Sequence, residues 1–587
     1  MDSWFVNDYM IKSVRSIKKG AMHLLGMNKK DMTKIISISK LNVVLLLLFT
    51  ACASEVQKVK VTVQEAYISQ VWKSDNGDGT YTNPILQTDY SDPDVIRVGD
   101  DFYMTASSFN SSPGLPILHS KDLVNWQIVN NALPVLPDEV FSSPQPSKGV
   151  WAPCIRFHNS LFYIFWGDPD FGIFRITATD PLGEWTKPVL VAAGKGMIDP
   201  SPLWDDDGNA YLVTAWAGSR AGVNSILTVW QMSADATCLL NRGFNIYSGH
   251  DHNHTVEGPK FYKMNGFYYI LAPAGGVEQG WQLALRAENA TGPYEVKMVM
   301  AQGSTDINGP HQGGYVETQN GEPWFVNFQD RGVYGRILHL NPVNWVDNWP
   351  VIGVDKDGDG CGEPVRKHRK PDVGKEWPIA SPAESDEFNE TQIGLQWSWN
   401  ANEKVTWSVR MPTKGILRLP TVPKATDEAS LWKVPNILTQ RLPAENFTAT
   451  TKVKLNIEWD VWQGKQAGLI MLGNDYSYLA IRKDADGFYV EQLQNKGANM
   501  GGLEKSIAQK RLASGEVYLR VRVDGPDALC RFSFSENGET YEEIGVAFNA
   551  SRVLWSSAKV GVFCTSEPGY RNGGWADFDW FRISKNE

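Results

Sequence analysis

A hairpin that recurs five times constrains this chain more than any other feature of it. The first copy is Asp89-Tyr90-Ser91-Asp92-Pro93-Asp94-Val95-Ile96-Arg97-Val98-Gly99-Asp100-Asp101-Phe102-Tyr103: a carboxylate at the mouth of a short apolar strand, a Gly-Asp turn, and a second strand entered through aromatics. Further copies run from Trp151-Ala152-Pro153 to Tyr163, from Asp199-Pro200-Ser201 to Tyr211, from Glu257-Gly258-Pro259 to Tyr268, and from Pro310-His311 to Trp324. Successive leading residues lie 59, 48, 58 and 54 positions apart. A period of about 50 with a hairpin in every unit predicts a β-propeller, here with five blades of roughly four strands each.

That geometry gives the leading residues a meaning that one hairpin could not. The innermost strand of each blade follows the central axis, so residues at its head converge at one end of the channel however far apart they are in sequence. The five leaders are Asp92, Trp151, Asp199, Glu257 and His311. Carboxylates gathered at a partly desolvated point repel one another and cost stability, so three of them there point to chemistry rather than to folding. Alone, each Asp-Pro or Glu-Gly-Pro reads as a turn or a strand cap.

The rest of the chain sets limits. With 56 basic and 66 acidic residues the formal charge is −10, and no long basic run follows the first 60 residues, which argues against a nucleic-acid partner. The 23 Trp and 52 Gly suit a β-rich protein with aromatic surfaces; most of these Trp are expected in cores. Lys29, Lys30 and Lys34 precede the apolar run Leu41 to Phe49, which ends in Thr50-Ala51-Cys52. Basic, apolar and small residues in that order form an export signal, and Cys52 stands where a bacterial lipoprotein is lipidated, although Phe49 replaces the usual Leu. The expected organisation is an over-long start plus lipoprotein-type signal at 1–52, a tether at 53–75, an all-β five-bladed propeller at 76–375 and a β-sandwich at 381–587. The sandwich rests on short alternating runs such as Phe447 to Val453, Ala467 to Leu472 and Val517 to Val523, separated by Gly, Asp and Asn turns.

Between the two domains, Asp355-Lys356-Asp357-Gly358-Asp359-Gly360 looks at first like a calcium loop. Its twelfth position is Arg366 where an EF-hand needs a bidentate Glu, so a solvated turn closing the propeller is expected, within a linker running from Pro350 to Pro378. Of the cysteines after Cys52, Cys530 and Cys564 could pair, but buried free thiols are the expectation.

Against this reading, Asp92 in Tyr90-Ser91-Asp92-Pro93, Asp199 in Ile198-Asp199-Pro200-Ser201 and Glu257 in Val256-Glu257-Gly258-Pro259 resemble, in order, the three catalytic signatures of family 43 glycoside hydrolases. Asn83-Pro84-Ile85 and Gly149-Val150-Trp151-Ala152-Pro153 also match that family; Ser91, where Pro is common, departs from it. The resemblance covers roughly residues 80 to 375, and the following domain is similar to the concanavalin A-like sandwich of β-xylosidases in that family. It implies a five-bladed propeller and an inverting mechanism, with Asp92 as general base, Glu257 as general acid and Asp199 raising the affinity of Glu257 for its proton. It further implies aromatic walls at Phe109 and Trp151, a sugar contact at Arg336, and a calcium ion in the channel touched by His311 through water. The chemistry itself would need no cofactor.

The expected activity is exo-acting removal of β-D-xylose or α-L-arabinofuranose from plant cell-wall polysaccharide fragments. The alternatives are an endo-arabinanase or a non-catalytic sugar-binding propeller. The export signal places the chain in the periplasm or outer membrane of a Gram-negative bacterium, touching membrane only through a lipid anchor.

Overall fold

The computed structural model describes residues 66–587 except 425–429, 459–462 and 569–572. The signal region and Cys52 lie outside the described residues. Five four-stranded antiparallel sheets, each a simple meander, form a ring. Their inner strands are Asp94–Val98, Trp151–His158, Met197–Trp204, Lys260–Met264 and His311–Glu317.

Each blade buries both faces against its neighbours, so its middle strands are apolar in runs rather than in alternation, as in Leu161–Asp168. The apolar contacts fall into one cluster per blade junction. Ile117, Ile155 and Trp166 join blades one and two, Phe165 and Leu212 join two and three, and Val213 and Phe261 join three and four. Leu271 and Tyr315 join four and five. Val95, Phe102, Val326 and Leu338 close the ring between five and one. At that last junction Gly314 is required by packing: a Cβ there would stand 2.8 Å from the Val95 nitrogen and 3.0 Å from Asp94 Oδ1.

No blade is shared between the chain's two ends, so closure comes from outside the ring. Thr80–Thr82 pairs antiparallel with Lys367–Arg369, and the Asn83 side-chain amide donates to the carbonyls of Leu340 and Val365. The stretch expected to close the propeller does so through the pairing of Lys367–Arg369 with Thr80–Thr82. The tether expectation needs correcting for 66–75: Ser69 N donates to Ser381 Oγ at 2.6 Å, Ser69 Oγ to Glu384 at 2.9 Å, and Asp75 is buried in an ion pair with Lys370. Side-chain hydrogen bonds, invisible in a composition, hold this segment down.

The sandwich consists of two eight-stranded sheets. In Glu516–Asp524 the residues Val517, Leu519, Val521 and Val523 face its core while Tyr518, Arg520 and Arg522 face outward, as period-two alternation requires. Its core also contains Tyr334 of the fifth blade, so the two domains share apolar packing. Cys154, Cys530 and Cys564 are buried free thiols, as expected, whereas Cys238 is exposed and Cys361 half-buried. The Asp355 carboxylate accepts the backbone N–H groups of Gly358 and Gly360, which is the bonding of a self-capped turn.

Candidate active site

At the head of every inner strand one residue adopts a left-handed backbone. These are Asp92 (φ 55°), Ala152 (35°), Asp199 (54°), Gly258 (55°) and Gln312 (28°). In blades two, three and five the strand pairing slips at that point. A bulge of this kind turns the side chain out of the ladder, and non-glycine residues held there mark places where the fold tolerates strain for a purpose. The kink also corrects the register expected from sequence. Asp92 and Asp199 occupy it, but Trp151, Glu257 and His311 stand one residue ahead of it. The recurring Asp92-Pro93, Ala152-Pro153, Asp199-Pro200 and Gly258-Pro259 was the signal that could have revealed this.

Asp92, 4% exposed, is held at both oxygens. Ser107 Oγ donates to Oδ2 at 2.6 Å and is itself fixed by the Ala152 N–H at 2.8 Å; Arg336 Nη1 donates to Oδ1 at 2.8 Å. The Arg336 guanidinium lies over Phe328, 4.7 Å from its centroid. Arg336 is 7% exposed, and its partner at the channel mouth is the Asp92 carboxylate. Ser107 was not foreseen, since nothing in its local sequence distinguishes it.

Asp199 is 2% exposed and accepts the Gly258 N–H at 2.7 Å through Oδ2. Burial first, and then the nearby Glu257 carboxylate, push its pKa up to about 8. Asp199 therefore keeps its proton at neutral pH. What sets Gly258 apart from the other four kinks is space: a Cβ there would come within 2.4 Å of Gln312 Cγ, on a backbone of positive φ.

Glu257, whose side chain is 33% exposed, is the most open of the three carboxylates. His311 Nε2 lies 3.0 Å from its Oε1, while His311 itself is fully buried. Trp151 is half-buried beside them, its indole N–H bonded to the Ser147 carbonyl and its face beneath the Arg220 guanidinium at 5.7 Å. Phe109 pairs with Val150 through two backbone hydrogen bonds of 3.1 Å and is 7% exposed, so it supports the Trp151 strand more than it lines an open wall.

The sandwich completes the rim. Trp555, 41% exposed, places its ring 5.7 Å from the Arg336 guanidinium. Its loop is anchored on the propeller by Ser557 N donating to Asp89 Oδ2 at 2.7 Å and by Arg552 paired with Asp330 at 3.2 Å. Asp89 Oδ1 in turn accepts the Arg336 N–H at 3.0 Å and the Ser91 hydroxyl at 3.1 Å. The departure at Ser91 thus belongs to the contact between domains. A residue so remote in sequence left no local signal of its place here.

The residues in the channel do not fit the expected calcium ion. His311 is expected to reach the ion only through water, so the misfit lies in the charges: the inner strands carry two cations of the protein itself, Lys260 and Arg156, within the channel. Among the described residues, the group whose ligand atoms approach one another as in a metal site is Asp355, Asp357 and Asp359, on the solvated turn.

Residues 81–350 match the family described as glycosyl hydrolases family 43, and residues 385–584 match the β-xylosidase C-terminal concanavalin A-like domain. A β-xylosidase of Formosa agariphila is 31% identical over 595 residues, spanning 92% of this chain and 97% of that one. A non-reducing-end α-L-arabinofuranosidase of Bacteroides ovatus is 27% identical over 533 residues, spanning 86% and 94%. The solved structure of a xylan β-1,4-xylosidase from Bacillus halodurans C-125 aligns with a TM-score of 0.74 at 27% identity, over 86% of this chain and 100% of that one.

Proposed function

This chain belongs to family 43 of the glycosyl hydrolases, and from that premise we propose that it is an inverting, exo-acting enzyme that removes β-D-xylose from plant cell-wall polysaccharide fragments. The observation that carries the reading is the arrangement of three carboxylates in three different environments at one end of the channel. Asp92, clamped by Ser107 and Arg336, acts as the base that takes a proton from water as it attacks the anomeric carbon. Glu257, the most open of the three, gives its proton to the departing oxygen. Asp199 is the fully enclosed partner against which that proton is retained.

Trp151 and Trp555, on opposite domains, supply aromatic faces against which a sugar ring can stack. The wall formed by the sandwich loop favours removal of terminal residues over passage of a long polymer through the site. α-L-Arabinofuranose is the second substrate, favoured by the similarity to the Bacteroides ovatus enzyme. We further propose export and lipidation at Cys52, on the strength of the apolar run Leu41 to Phe49 and the small residues before the cysteine.

Release of p-nitrophenol from the β-D-xylopyranoside and the α-L-arabinofuranoside tests the reading, with Glu257→Gln as control and the first-formed anomer followed by proton NMR. Turnover lost in the control, with inversion at the anomeric carbon, is expected. Retention of configuration would remove Asp92 from the role of base, and wild-type turnover of neither glycoside nor of natural xylan and arabinan would remove the activity.

A further inference from the structure

The kinks align the five inner strands and so define layers down the channel. Two residues after each kink stand Asp94, Cys154, Ser201, Lys260 and Gly314, one from each blade. Asp94 and Lys260 are both fully buried. Lys260 Nζ crosses from blade four to donate to the Pro153 carbonyl of blade two at 3.1 Å. One layer further down, Arg156 Nη1 donates to Asp94 Oδ2 at 2.6 Å and Nη2 to Ser201 Oγ at 3.1 Å, with the guanidinium 5.1 Å from the centre of the Tyr262 ring. Buried charges persist only when opposed by others. Here the carboxyls of Asp92, Asp94, Asp199 and Glu257 stand among three cations, Arg336, Arg156 and Lys260.

We propose that Lys260 is a positioning residue for the catalytic carboxylates, its buried ammonium being the counter-charge that lets Asp92, Asp199 and Glu257 stand together at the channel mouth without a metal ion beneath them. This rests on the roles proposed above for the three carboxylates. The groups facing Asp199 are Glu257 and Lys260 from blade four and Asp92 from blade one; Asp94 and Arg156 lie below, and His311 and Arg336 approach from blade five. Of the positive charges among them, Arg336 is paired with Asp92 and Arg156 with Asp94. Among the described residues Lys260 Nζ bonds the Pro153 carbonyl, so its charge is left to act on the carboxylates above it. Removing it makes loss of the last proton harder for every carboxyl in the cluster, which moves both limbs of the pH profile the same way.

The test compares Lys260→Met, which keeps the length and loses the charge, with Lys260→Arg, which keeps the charge. For the Met variant both limbs of kcat/KM against pH are expected to move upward by about half a unit or more, with kcat reduced at least ~10-fold; the Arg variant keeps the wild-type limbs. Dialysis of the wild-type chain against EDTA is expected to leave turnover and Tm unchanged. Unmoved limbs in the Met variant overturn the proposal. So does loss of turnover or Tm on chelation that calcium restores, a result that needs no substitution and stands if the Met variant does not fold. Tm against pH reports the same upward shift without any substrate, so failure of the glycosidase reading and failure of the Lys260 proposal are separable.

Discussion

Three carboxylates share one end of the channel, and their surroundings rather than their identity tell them apart. Asp92 is clamped at both oxygens, Asp199 is enclosed, and Glu257 is left partly open. Glu257→Gln and Asp92→Ala are each expected to lower kcat by roughly 10²–10⁴-fold, the first with little change in Tm and the second with a lower Tm because it leaves the buried Arg336 unopposed, read from steady-state kinetics and thermal melting. Asp199→Asn removes the like charge from the pair, so the basic limb of kcat/KM should move to lower pH; a limb that stays in place would exclude Asp199 as the partner. Its effect on stability is distinct. A carboxyl whose pKa rises in the fold stabilises it most below the unfolded value of 3.8, and that contribution is lost as pH climbs through about 8. At about pH 9 the Asn variant should therefore melt above the wild type, and at about pH 4 it should not. The three carboxylates themselves were legible in the sequence, because each precedes or occupies an X-Pro step. Ser107 and Lys260 were not, because a serine after a strand and a lysine on one are unremarkable until their neighbours are known.

At the scale of the element, the working unit is the kink at the head of the inner strand. It lets one strand present a carboxylate from the kink itself, as in blades one and three, or from the residue ahead of it, as in blade four. Gly258→Ala tests this directly. The left-handed backbone costs a residue with a Cβ about 1–2 kcal/mol, and the new methyl would also press on Gln312. A Tm lower by several degrees and a fall in kcat/KM of at least ~10-fold are expected, since the Gly258 N–H holds Asp199 and Glu257 is its chain neighbour. If Tm falls and kcat/KM does not, the kink is structural only. Strand existence and period were readable from aromatic and Gly-Asp punctuation. Register at the strand heads was not, because a bulge shifts it by one residue without altering the hydrophobic pattern that sequence reading relies on.

At the scale of the whole molecule, the sandwich behaves as part of the site. Tyr334 of the propeller lies in its core, and Trp555 of the sandwich lies over Arg336. Trp555→Ala is expected to lower kcat/KM by about 10-fold at unchanged Tm, a change of about 1.4 kcal/mol in transition-state binding. A chain ended near residue 380 is expected to be insoluble or inactive, because it exposes the apolar surface around Tyr334 and loses that wall. Full activity in a soluble 66–380 fragment would remove the sandwich from the site.

The sequence by itself determined the five blades, the sandwich that follows and the three carboxylates, because periodic turns and X-Pro steps are local properties of a chain. Only the tertiary structure decided which residues share a layer of the channel, that Arg336 holds Asp92, that Lys260 lies beneath the carboxylates, and that a tryptophan of the second domain joins the rim. Those are facts about distance between residues far apart in sequence, and short motifs carry no record of which distant groups a folded chain brings together.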